Sequence, residues 1–173
     1  MMSRTTRPPI AQRRTLLAVG EGKSDAAFLK HLRKLYCSSG LGLTVTVRQA
    51  NGKGPGNVIA TAIGALRISY YDKKLCLLDT DLLWTPKNQR DAKHNKIELI
   101  GSTPCLEGML LQILGRTVPP SNHECKGQIK AILKKDLLYP EDYESTFYFE
   151  LLENARPQVP VLNQLLRLYQ GYD

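Results

Sequence analysis

Two short apolar runs, Thr15–Val19 (TLLAV) and Lys74–Leu78 (KLCLL), constrain this chain more than any other feature in it. Each has the length of a strand, neither alternates with polar residues, and each stops abruptly, the first at Gly20-Glu21 and the second at Asp79-Thr80-Asp81. A strand with no polar face is buried on both sides, as strands are in a parallel sheet covered by helices. Leu43–Val47 reads as a further strand and Ile97–Ile100 as a weak fourth. Between them, Ser24 is placed to cap a helix with Phe28, Leu29, Leu32, Leu35 and Tyr36 at helical spacing, and Val58–Ile68 reads as a second helix. The polar stretch Pro86–Lys96 is compatible with a third, and Thr103-Pro104 is a strong start for a fourth that runs through Leu114. Strand and helix alternating four times predicts an α/β fold: a Rossmann-like, mainly parallel four-stranded sheet flanked by helices.

At 173 residues the chain has room for one such domain and an appendage. Residues 1–14 hold two prolines and four arginines and read as a flexible basic arm, and residues 15–118 carry the α/β pattern. Residues 119–173 read as a helical extension packed on the same core, with helices at Gln128–Leu138 and Val161–Tyr169 around an acidic, aromatic segment from Tyr139 to Phe149. No apolar run is long enough to cross a bilayer, so a soluble cytoplasmic protein with no membrane partner is expected. Cys37, Cys76, Cys105 and Cys125 form no C-x-x-C pair, which suits a reducing compartment, and His123-Glu124-Cys125 would need a further ligand to hold a soft metal.

Charge is segregated. Residues 1–135 hold 22 basic and 9 acidic side chains, whereas residues 136–173 hold 2 and 7. A basic body suits a polyanion, DNA or RNA, because each phosphate that it neutralises releases counterions.

In open α/β sheets the functional crevice lies beyond the carboxyl ends of the strands. Glu21 lies just past the first strand, and Asp79 and Asp81 lie just past the third. If extended geometry persists to Asp81, the two aspartates project to one side, and Glu21 beside them gathers three negative charges that require protons or a cation. Oxygen-only ligands favour a hard ion, Mg²⁺ or Mn²⁺, which can polarise a phosphodiester and lower the pKa of bound water. Glu107, in apolar company in the first turns of its helix, is a candidate fourth ligand. Lys23 at the crevice mouth and Lys53 in the glycine-rich loop Asn51–Asn57 are candidate phosphate contacts. Gly22-Lys23-Ser24 is no P-loop, because the glycine required five positions earlier is Leu17.

The runs V-G-E-G-K-S-D and L-L-D-T-D resemble the TOPRIM domain shared by topoisomerases, primases and several nucleases. Within that superfamily the likeness is closest to RloB-like proteins, small TOPRIM proteins found with bacterial defence and restriction systems. Their serine, proline, cysteine, aromatic, glutamate run is similar to Ser102-Thr103-Pro104-Cys105-Leu106-Glu107, with Leu106 in place of the aromatic and Met109 and Gln112 in place of a tryptophan and a histidine. The resemblance covers roughly residues 15–115. It implies a TOPRIM-like fold and metal-dependent phosphodiester chemistry, in which Glu21, Asp79 and Asp81 bind the ions and the glutamate also shuttles a proton. Two other readings stand beside a nuclease of this type. One is a non-catalytic TOPRIM adaptor that binds nucleic acid or a partner ATPase. The other is a phosphatase resembling the haloacid dehalogenases, with Thr103 as its threonine.

Overall fold

In the computed structural model, which describes residues 13–37 and 42–171, the apolar runs form the two inner strands of a four-stranded sheet. The strands are β1 (Arg14–Gly20), β2 (Leu43–Gln49), β3 (Lys73–Asp79) and β4 (Glu98–Ser102), in the spatial order β2-β1-β3-β4. All neighbouring pairs are parallel. The alternation of side chains explains why β1 and β3 lack a polar face. Leu16, Ala18, Leu75 and Leu77 enter one buried cluster, whereas Leu17, Val19, Cys76 and Leu78 enter the other.

The first cluster is covered by α1 (Lys23–Tyr36), α4 (Leu106–Ile113), α5 (Asn122–Leu133) and the later helices α6 (Glu141–Glu144), α7 (Phe149–Ala155) and α8 (Pro160–Tyr169). The second is covered by α2 (Gly54–Leu66) and α3 (Pro86–His94). The C-terminal helices share one core with β1: Ile129, Tyr143, Phe147, Leu152 and Leu162 pack in the cluster that holds Leu16 and Phe28. The extension also hydrogen-bonds to α1. The hydroxyl of Tyr143 donates to the Ser24 carbonyl and that of Tyr169 to the Leu29 carbonyl, each at 2.9 Å, and His31 Nε2 donates to the Phe147 carbonyl at 2.7 Å. Burial holds the His31 imidazole below its usual pKa, so the ring is neutral.

Several boundaries differ from the expected ones for local reasons. The N-cap of α1 is Gly22 rather than Ser24, because the carboxylate at the third helical position, Asp25, reaches back to the Gly22 amide. The α2 helix starts four residues early, at Gly54. Lys53 takes a left-handed conformation (φ 66°), and Asn57 Nδ2 ties the turn down by donating to the Ala50 and Gly52 carbonyls. The α4 helix starts at Leu106 instead of Pro104, since Cys105 is still extended. The α5 helix is capped by Ser121 and stops at the left-handed Lys134; α6 lies inside the segment expected only to be acidic and aromatic, and α7 starts at its last residue, Phe149. Most of the expected basic arm lies outside the described residues, while Arg14 belongs to β1, in register with Leu43. No helix among the described residues is long and apolar enough to cross a membrane.

Candidate functional site

The strand order fixes where the carboxylates meet. The chain leaves β1 for β2 on one side and passes to β3 on the other, so the order of winding reverses between the parallel strands β1 and β3, and that switch point opens a crevice at their carboxyl ends. Gly20 stands in register with Leu77, so Glu21 leaves β1 and Asp79 ends β3 at the same rim. Gly20 also permits a close approach: a Cβ there would stand 2.8 Å from both the Ala26 amide nitrogen and Asp25 Cβ. Any side chain at this position would push the first turn of α1, and Asp25 with it, off the rim.

Asp25 is the residue that sequence reasoning missed. It is 8% exposed; one carboxylate oxygen accepts from the Gly22 amide at 2.9 Å, and the other, Oδ1, is buried without a hydrogen-bond partner. Burial, with Glu107 and Glu21 nearby, raises its pKa to about 7. Asp79 is raised to about 8, chiefly by burial and then by the charges of Asp25, Glu21, Glu107 and, least, Asp81. One Asp79 oxygen accepts from the Leu106 amide at the start of α4 (3.2 Å), and the Trp84 indole donates to the Asp79 carbonyl (3.2 Å), which folds the following loop back on the strand. Glu107 lies in the first turn of α4, where Gly108 allows the helix to press on the Thr103 carbonyl, 2.5 Å from an added Cβ.

Asp81 behaves differently from the expectation. Extended geometry ends at Asp79; the chain then bends, with the Thr80 and Asp81 amides both donating to the Pro104 carbonyl. Asp81 is consequently exposed, and its carboxylate accepts from Asn122 Nδ2 at the start of α5, at 2.7 Å. Among the described residues no ion pair reaches any of these five carboxylates, and no three His, Cys, Asp or Glu side chains are grouped as they would be around a metal ion.

Three of the five, Asp25, Asp79 and Glu107, line a cleft of about 190 Å³ together with Lys23, Ser24 and Lys126, whereas Glu21 and Asp81 do not line it. The Lys23 ammonium is turned to Tyr139, donating to its hydroxyl at 3.2 Å and lying 4.2 Å from the ring centre. Lys53 is exposed at the start of α2 and does not line this cleft. Lys126, on α5, does line it, although nothing in its local sequence marked it.

Comparison with protein-family models, with curated proteins and with solved structures gives no match.

Proposed function

We propose that this chain is a metal-dependent phosphodiesterase of the TOPRIM type that hydrolyses nucleic acid. One observation carries the reading. Asp25, Asp79 and Glu107 crowd a half-buried cleft at the switch point of a parallel sheet, with no ion pair to any of them among the described residues, in a protein whose net charge is +8. Such a cluster costs stability unless protons or a cation compensate it. The donor set is all oxygen and includes the unpartnered Asp25 Oδ1, which fits a hard ion. Mg²⁺ or Mn²⁺ would need only one or two of these carboxylates and would keep waters or phosphate oxygens for the rest.

When bound, the ion would offset the charge of the carboxylates and polarise a phosphodiester. Asp79 and Asp25 would hold it, with Glu107 beside them in the cleft, and Asp81 borders the cluster from the loop. Glu21, partly exposed at the rim, takes the proton of the attacking water as its oxygen adds to phosphorus. The ester P–O bond breaks, and that proton passes to the leaving oxygen. Lys126, in the same cleft, is placed to pair with a non-bridging phosphate oxygen.

The test is incubation with plasmid, single-stranded DNA and RNA in Mg²⁺ or Mn²⁺. Cleavage that is lost in Asp79→Asn supports the reading. Binding without cleavage of any substrate in either metal points to an adaptor, and turnover of a small phosphomonoester through a phospho-aspartate points to a phosphatase.

A further inference from the structure

Next to the carboxylate cleft lies a larger cavity of about 400 Å³, and the two share Ser24, Glu107 and Lys126. Its walls come from α5 and the segment that follows, which the extension lays across the mouth of the switch point. Its lining combines Lys126, Lys130 and Lys135 with the apolar Ile129, Leu137 and Leu138, and includes the acidic Glu107 and Asp136. Lys130 is paired with Asp136 at 3.1 Å, whereas Lys126 and Lys135 have no hydrogen bond or ion pair among the described residues. Gly127, in the middle of α5, also faces this space, and no atom lies within 4 Å of where its Cβ would stand. Glycine is an unfavourable residue in a helix interior, and nothing in the packing requires it there. A helix surface kept bare at a cavity wall lets a ligand approach the backbone.

We infer that this cavity binds one unpaired nucleotide of a nucleic-acid strand, with its phosphates on Lys126 and Lys135 and its base against Leu138, beside the carboxylate cleft. The inference rests on the phosphodiesterase reading and adds the substrate class, a single-stranded segment. The volume lies in the range of small-ligand pockets, ~300 to 1,000 Å³, and so suits one nucleotide rather than a base pair. The shared Lys126 joins the nucleotide's phosphate to the carboxylate cleft.

The experiment measures fluorescence anisotropy of labelled single-stranded and duplex oligonucleotides of the same sequence, in EDTA, against the full-length protein. The wild type should bind the single strand more tightly than the duplex. Lys126→Ala combined with Lys135→Ala should weaken binding about tenfold and flatten the slope of log K against log salt by about 1.4, two contacts at ~0.7 each. Gly127→Leu, which fills the cavity from a position with open space around it, should weaken binding while its melting temperature stays at or above that of the wild type. Wild-type affinity in both variants, or a preference for duplex, overturns the inference. If Mg²⁺-dependent cleavage is then still lost in Asp79→Asn, only the cavity assignment falls. A wild type that neither binds nor cleaves removes the phosphodiesterase reading as well.

Discussion

Strand β3 carries an aspartate near each end, and the two have opposite fates. Asp72, just before the strand, is exposed and fully used: it accepts from the Thr15 amide at 2.7 Å and the Thr15 hydroxyl at 2.9 Å, and these bonds lower its pKa. Asp79, at the other end, receives a single backbone amide, is half-buried, and has four further carboxylates around it, so burial and then their charges raise its pKa. Asp72 ties β3 to β1 and is satisfied by the fold. Asp79 is left short by the fold, and a group held that way marks the end of the sheet where a ligand belongs. The comparison separates a carboxylate that stabilises from one that waits for a partner, on one strand and with one residue type.

Asparagine at each position should break the symmetry most visibly in catalysis. Asp79→Asn keeps the acceptor for the Leu106 amide but should reduce cleavage at least ~100-fold, more than the loss seen when a residue merely orients a metal ligand. Asp72→Asn should leave the rate within about twofold. In stability the order reverses. At pH 8 without divalent metal, Asp79→Asn should raise the melting temperature by on the order of 5 °C, and Asp72→Asn should lower it slightly, both read by thermal denaturation.

The smallest effect sharpens the sign. The folded-state pKa values of Asp25 and Asp79 are raised, to about 7 and about 8, so the stability linked to them is fully present below the unfolded value near 3.8 and is lost as pH climbs through 7 and 8. Asp72, whose pKa is lowered, contributes above its unfolded value and loses that contribution as pH falls through the folded one. Magnesium should therefore raise the melting temperature more at pH 8 than at pH 5.5, with Asp25→Asn removing most of the difference.

The sheet was legible in the sequence because its inner strands are apolar on both faces, a pattern no amphipathic helix shares. Glu21 and Asp79 were legible for a related reason, since strand ends in a parallel sheet are where loops and helix N-termini converge. Asp25 was not. A carboxylate three residues into a helix is ordinarily a cap, as this one also is, and its burial comes from the approach that Gly20 permits and from Tyr143 reaching back to Ser24 out of the distant extension. Lys126 was hidden likewise: α5 has only Cys125 and Ile129 buried, too sparse a stripe to show where the helix begins or which end of the sheet it borders. Local patterning specified the layers, and packing between segments far apart in sequence decided which side chains face the cleft.

Calorimetric titration of the protein with MgCl₂ or MnCl₂ at pH 7.5, in two buffers of different ionisation enthalpy, tests the shared-carboxylate cluster most directly. If Asp25 and Asp79 retain protons for want of a cation, binding must release them. A saturable signal with net proton release, abolished in the combined Asp25→Asn and Asp79→Asn variant, is the expected result. Absence of binding, or binding that these substitutions leave unchanged, contradicts the account.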